Sequence, residues 1–231
     1  MTTASVLLAP PPRAADRSQG VRRPDIRPPK FADKFALLDF EADPMPIISM
    51  FQPPARSRIE NLSLAIRGED LRTHRLGWAA LDGLPVRHLR AALVCQIFNW
   101  HEVGDWRGIR LADVLDRFEL ATHEEGYYAF FSGDGQYFET LSRDEARDPR
   151  AMLAIGLGGQ DLPHEYGGPL RLFVPFLQGY KSVKWLSGIQ AYRHDPAGIK
   201  RLLGQSKTGR LGQSWLTRLG IEPAEGRPGD P

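Results

Sequence analysis

One cysteine in 231 residues excludes an internal disulfide framework and fits a reducing compartment. That single thiol, Cys95, has to be explained as core, ligand or nucleophile. A long apolar run is also missing. Before the pair Arg22-Arg23 the only greasy stretch is Ser5 to Pro10, too short for a membrane span or a signal-peptide core. The arginine pair invites a twin-arginine export reading, but Pro-Asp-Ile-Arg-Pro-Pro follows it where an apolar segment would stand. The expected location is therefore cytoplasmic, without membrane contact. An excess of one charge is absent as well: 30 Lys and Arg face 28 Asp and Glu, a net +2, so the global field of a nucleic-acid binder is missing. No nucleic-acid partner is expected.

What is present suffices for one substantial core, since 42% of the residues are hydrophobic. Residues 1–30 are rich in proline and arginine and read as a flexible basic arm that cannot repay the entropy of ordering. Residues 31–195 carry the main domain, and residues 196–231 form a C-terminal helical segment and tail. In the latter, Ile199, Leu202, Leu203, Leu211, Trp215, Leu216 and Leu219 have helical spacing, which suits a helical hairpin packed on the domain or a docking segment for an acidic partner or membrane surface.

Within the domain, Leu62, Leu64 and Ile66 alternate as in a half-buried strand, and Leu76 to Leu81 reads as a short helix. Leu89, Ala91, Leu93, Cys95 and Ile97 share one face of the next strand. Leu111, Val114, Leu115 and Phe118 mark an amphipathic helix over Arg110 to Leu120. Ser142-Arg143-Asp144-Glu145 has capping-box form, and Met152 to Leu162 reads as a hairpin around Gly158-Gly159. Strands dominate and helices are short, so the fold class is α+β with mixed sheets.

Two stretches carry chemistry. The first is Gly167-Gly168-Pro169-Leu170-Arg171-Leu172-Phe173-Val174-Pro175 followed by Tyr180-Lys181-Ser182-Val183-Lys184-Trp185, read as two short strands joined by a glycine-containing turn. Convergent cations and backbone donors in such a pair can hold an anion, although an ordinary hairpin with solvated lysines reads the same. The second is Ala91 to Trp100, closed by Asp105-Trp106-Arg107-Gly108-Ile109-Arg110-Leu111.

Together, from Ile59 to Ala191, these stretches resemble the molybdopterin-binding domain of the sulfite oxidase family, which includes a periplasmic methionine-sulfoxide-reducing branch. The resemblance implies a molybdenum-molybdopterin cofactor with Cys95 as the thiolate ligand to the metal. It further implies that Arg171, Ser182, Val183 and Lys184 hold the pterin phosphate, with Lys181 as a neighbour. Ser132 matches a threonine of the family. Tyr166 stands where the family has histidine or asparagine; the phenol substitutes, His164 does, or the contact is lost. An asparagine that the sulfoxide-reducing branch uses has no counterpart between Phe31 and Phe51.

The implied activity is oxygen-atom transfer on a small-molecule substrate. Gln96-Ile97-Phe98-Asn99-Trp100-His101 follows the cysteine where sulfite-oxidising members have arginines, which favours a sulfoxide-like substrate over sulfite. The alternatives are a sulfite-oxidising enzyme and a non-catalytic module with a decayed pterin site. His101, Glu102 and Tyr137 are acid/base candidates by type, and spacing does not separate them. One cysteine leaves no haem-attachment motif, so electrons come from a separate partner protein or a soluble carrier.

Overall fold

The computed structural model describes residues 49–95 and 100–220. The basic arm, the Phe31–Phe51 segment up to residue 48, Gln96 to Asn99 and the tail after residue 220 lie outside them. Within the described residues the chain builds two five-stranded sheets. The first has the order β2-β1-β10-β5-β6, formed by β1 (Leu64–Arg67), β2 (Thr73–Leu76), β5 (Tyr127–Ser132), β6 (Phe138–Ser142) and β10 (Leu186–Tyr192). Only β1 and β10 run parallel in it. The second contains β3 (Val86–Cys95), β4 (Trp100–Arg110), β7 (Met152–Leu157), β8 (Gln160–Asp161) and β9 (Arg171–Phe173), with β8 and β9 both on β7.

Alternation dictates the sheets' inner faces. Leu64 and Ile66 of the first sheet and Leu153, Ile155 and Leu172 of the second enter one core, joined by Leu111, Val114 and Leu115 of helix α1 (Leu111–Arg117). The capping box at Ser142 is formed: its side chain accepts from Glu145 N while Glu145 accepts from Ser142 N, opening α2 (Arg143–Arg147). The Met152–Leu162 hairpin also forms, with Gly158 and Gly159 at positive φ.

The long hairpin β3–β4 is apolar on both faces. Leu89, Ala91, Leu93 and Cys95 turn to a cluster of Trp106, Met152, Ala154, Leu162, Tyr166 and Phe173. Ala92, Val94 and Val103 turn the other way, under Leu211, Trp215, Leu216 and Leu219 of the C-terminal segment. That segment holds α3 (Ile199–Leu202) and α4 (Gln213–Leu219). It is fastened where Lys200 N donates to buried Glu139 (2.8 Å) and Thr140 Oγ1 donates to Asp195 (3.1 Å). It packs on the domain, as a terminal helical hairpin would.

Two expectations are corrected. Leu76 to Leu81 is the end of β2 followed by a single 3-10 turn, Trp78–Ala80, which Gly83 and Pro85 leave no room to extend. The stretch 167–185 is not a hairpin. Its first half is β9 in the second sheet, whereas its second half is a 3-10 turn, Gly179–Lys181, and an irregular crossing that enters the first sheet at β10. Trp185 has φ +49, which breaks strand geometry just before β10 begins. Among the described residues no helix is long and apolar enough to cross a membrane.

Trp215 is 6% exposed, so Trp215→Ala opens a cavity over the back of β3–β4. The expected loss is about 3 kcal/mol in the urea unfolding free energy; an unchanged midpoint would show that α4 does not pack in solution as described.

Candidate cofactor site

The site begins where β3 stops. Cys95, half-buried, ends the strand on the face packed against Trp106, Phe173 and Tyr166. Trp106 is fixed twice: its indole N–H donates to Ala91 O (3.2 Å), and its ring stacks on Phe173 at 4.0 Å. The Arg171 guanidinium lies 5.5 Å from the Trp106 ring centre, so cation, indole and phenyl are layered behind the thiol's face.

Arg171 is 1% exposed and spends its donors on carbonyls. Nη1 donates to Tyr166 O (2.8 Å), Nη2 to Ser182 O (2.7 Å) and Nε to Leu172 O (3.2 Å). Burial lowers its pKa to about 9, which leaves it protonated at neutral pH. The arginine therefore joins the two halves of the motif. Leu172 N donating to Val183 O (2.9 Å) and Val174 N donating to Ser182 Oγ (3.0 Å) complete the seam.

Around Gly167 the halves touch. Gly167 adopts φ +96, and a Cβ there would lie 2.7 Å from Lys184 Cβ, so only glycine lets the chains approach this closely. Lys184 Nζ donates to Glu165 O (2.8 Å), and among the described residues no carboxylate lies within ion-pair distance of it. Burial, then repulsion from Arg171, pull the Lys184 ammonium down to about 7 against a weaker opposing pull from Glu165. Trp185 secures the same corner: its backbone N–H donates to Gly167 O and its indole to His164 O. Burial likewise lowers the pKa of His164, whose ring sits 5.4 Å from that of Trp185.

The thiol end and the cationic end are neighbours. A Cβ on Gly179 would lie 2.8 Å from Val94 O, so the turn leading into Ser182-Val183-Lys184 rests on the last residues of β3. Ser132 pairs with Leu186 in β5–β10, and Gly133 N donates to Trp185 O (2.6 Å), which places the serine beside the same corner. Its own Oγ accepts from Asp134 N (3.3 Å). Cys95, Tyr166, Arg171, Ser182, Val183, Lys184 and Ser132 thus gather where the two sheets meet.

Lys181 does not join them. Only 2% exposed, it is neither solvated nor turned toward Lys184: Nζ lies 3.2 Å from Glu139 Oε2 and donates to Thr140 O (2.9 Å) inside the protein. Burial raises the Glu139 pKa, and Lys181 is the foremost influence opposing that rise. The contact spans about forty residues of chain, so no local spacing announces it. The Tyr166 hydroxyl donates to both Glu102 carboxylate oxygens (3.3 and 3.4 Å). Glu102, named from the sequence by type alone, and Trp106 share the Cys95 face because they pair with Leu93 and Leu89, a pairing that the sequence reading did not include.

The sequence model of the oxidoreductase molybdopterin-binding domain matches residues 51–200. A protein-methionine-sulfoxide reductase catalytic subunit MsrP from Gluconobacter oxydans is 37% identical over 112 residues, covering 42% of this chain and 36% of the relative. The MsrP of Xanthomonas campestris pv. campestris is 40% identical over 118 residues, covering 45% and 36%. The chain spans about a third of the length of these curated relatives. Among solved structures, the sulfane dehydrogenase SoxCD from Paracoccus pantotrophus shares the fold, with a TM-score of 0.55 and 20% identity over 63% of this chain and 42% of that one.

The MsrP relatives are periplasmic enzymes, and this overturns the expected cytoplasmic location. The expectation leaned on a single cysteine and on the composition of residues 1–30. A lone thiol engaged by a metal forms no disulfide in either compartment, so its count does not report the compartment.

Lys184 makes stability pH-dependent with a definite sign. In the unfolded chain it titrates near 10.5 and in the folded one near 7. Between those values the unfolded chain holds the extra proton, so stability rises with pH across the window and is lost as pH falls through it. Urea midpoints of the cofactor-free protein should carry this rise, and Lys184→Met should remove that component; identical pH profiles would refute it.

Proposed function

The chain belongs to the family of oxidoreductase molybdopterin-binding domains, and from that premise we propose that it reduces a neutral sulfoxide by oxygen-atom transfer, with electrons from a separate donor. The cofactor that such domains bind is molybdenum-molybdopterin. When bound, it supplies two-electron redox chemistry and exchange of an oxygen atom.

The observation that carries the reading is the juxtaposition of a strand-end thiol with a desolvated cation corner. Lys184 is partly buried with a carbonyl for company, next to a buried arginine, and a phosphate would supply the counter-charge that the corner lacks. Lys184 would meet that phosphate, with Ser182, Val183 and Ser132 framing it and Arg171 holding the frame. Cys95 offers the soft thiolate suited to a sulfur-rich molybdenum centre. Tyr166 stands between the two ends, its carbonyl pinned by Arg171 and its hydroxyl on Glu102.

Substrate charge follows from the same face. Register places Glu102 opposite Leu93 and Trp100 opposite Cys95, so a carboxylate, not a guanidinium, is the charged side chain of β4 nearest the thiol. A sulfite dianion would find no cation of β4 beside the thiol, whereas a neutral sulfoxide needs none. The printed activity of the MsrP relatives, reduction of methionine sulfoxide in proteins, agrees with that selection. The donor is a separate electron-transfer protein or carrier, in keeping with how MsrP-like and SoxCD-like proteins work.

Protein purified from a molybdenum-replete host should hold near-stoichiometric molybdenum and release pterin on denaturation. Cys95→Ser should keep the pterin, lose one thiolate from the metal's X-ray absorption spectrum and lose sulfoxide turnover. Folded wild-type protein without metal or pterin would overturn the enzyme reading, and turnover of sulfite in preference to sulfoxide would overturn the substrate.

A further inference from the structure

Reducing a sulfoxide consumes two protons and two electrons: the S–O bond breaks, sulfur is reduced, and the oxygen leaves as water. Three side chains qualify by type as the proton source, and the structure separates them. His101 is 2% exposed on the back of β4, where its ring meets Trp215 edge-on at 5.5 Å, on the opposite face from Cys95. Tyr137 donates to Tyr180 O (2.7 Å), and burial holds its pKa well above the usual phenol range. Glu102 is on the right face. Antiparallel pairing aligns Cys95 with Trp100 and Leu93 with Glu102, so the glutamate is the diagonal neighbour of the thiol, at a Cα separation of about 7–8 Å for such pairs.

The second observation is the partner. Tyr166, 5% exposed, packs in the cluster that Cys95 adjoins and aims its hydroxyl at both oxygens of the Glu102 carboxylate. Its backbone is immobilised by Arg171 through Tyr166 O. A phenol fixed in that way stabilises the carboxylate once a proton has left, and the half-exposed Glu102 can take a new proton from solvent.

We propose, on the reading of a sulfoxide reductase given above, that Glu102 is the proton donor to the departing oxygen and that Tyr166 is its positioning residue. In each cycle the Glu102 carboxyl gives its proton to the oxygen as the S–O bond breaks. The two electrons come from the separate electron donor, and the cofactor, when bound, would relay them; the carboxylate is held by the Tyr166 O–H, and solvent returns the proton and supplies the second one. Among the described residues, Cys95 of β3, Tyr166 and Arg171 of β9 stand on the face that Glu102 shares. Of these, the thiol is assigned to the metal, the phenol to Glu102 and the guanidinium to the motif seam.

The test compares cofactor-loaded wild type, Glu102→Gln, Glu102→Asp and Tyr166→Phe on a methionine sulfoxide peptide, with molybdenum and pterin assayed in each. A general acid must be protonated, so wild-type kcat falls as pH rises through its pKa; Glu102→Gln should retain full cofactor, lose kcat by roughly a hundredfold or more and lose that pH dependence. Glu102→Asp should regain part of both, and Tyr166→Phe should shift the pH limb with a smaller loss. A Glu102→Gln protein with wild-type kcat and pH profile would overturn the proposal. So would one that has shed its pterin, because the glutamate would then be a cofactor contact. A wild-type protein replete in molybdenum yet inert toward sulfoxides overturns the parent reading instead, and this one falls with it.

Discussion

Arg171 is the interaction on which the rest depends. Its guanidinium is buried on the Trp106 face of the second sheet, and its hydrogen bonds run to the carbonyls of Tyr166, Ser182 and Leu172, that is, to both halves of the motif and to its own strand. A charged group without water must have its donors satisfied, so the two segments are compelled to keep the positions that satisfy them. Gly167 and Lys184 meet in consequence, Trp185 closes over them, and the turn at Gly179 is pressed on the end of β3. One buried cation thereby relates the strand-end thiol to the corner at Lys184.

The site is also electrostatically unequal. On one side stand Arg171 and Lys184 with carbonyls for partners, and on the other stands Glu102 with a phenol. Such a layout offers an anion cations at one end and none at the other. Lys181, similar on paper to Lys184, is removed from this balance by Glu139 and serves the interior instead.

Much of this was legible from residue order. Parity along residues 89 to 95 placed Cys95 on the apolar face that it occupies, the capping box at Ser142 formed as spaced, and the apolar repeat from Leu111 found its helix. These features are local, and local periodicity reports them. The stretch 180–185 reads as a strand because it is apolar, yet its hydrogen bonds go to residues of another segment, such as Val183 O to Leu172 N, and Trp185 turns at φ +49. Which lysine meets an acid, and which acid meets a tyrosine, depends on contacts between distant parts of the chain. No spacing encodes them.

The helix behind the hairpin has a consequence for biosynthesis. Trp215 leaves the ribosome about 120 residues after Cys95, an interval of roughly 6–24 seconds at ordinary elongation rates. Throughout that interval Ala92, Val94 and Val103 have no cover, and the strand bearing the thiol is sheathed on one side only. Elements made well after the hairpin are thus the ones that cover it, and a chain halted before them would display an apolar ribbon to the cell's quality-control machinery.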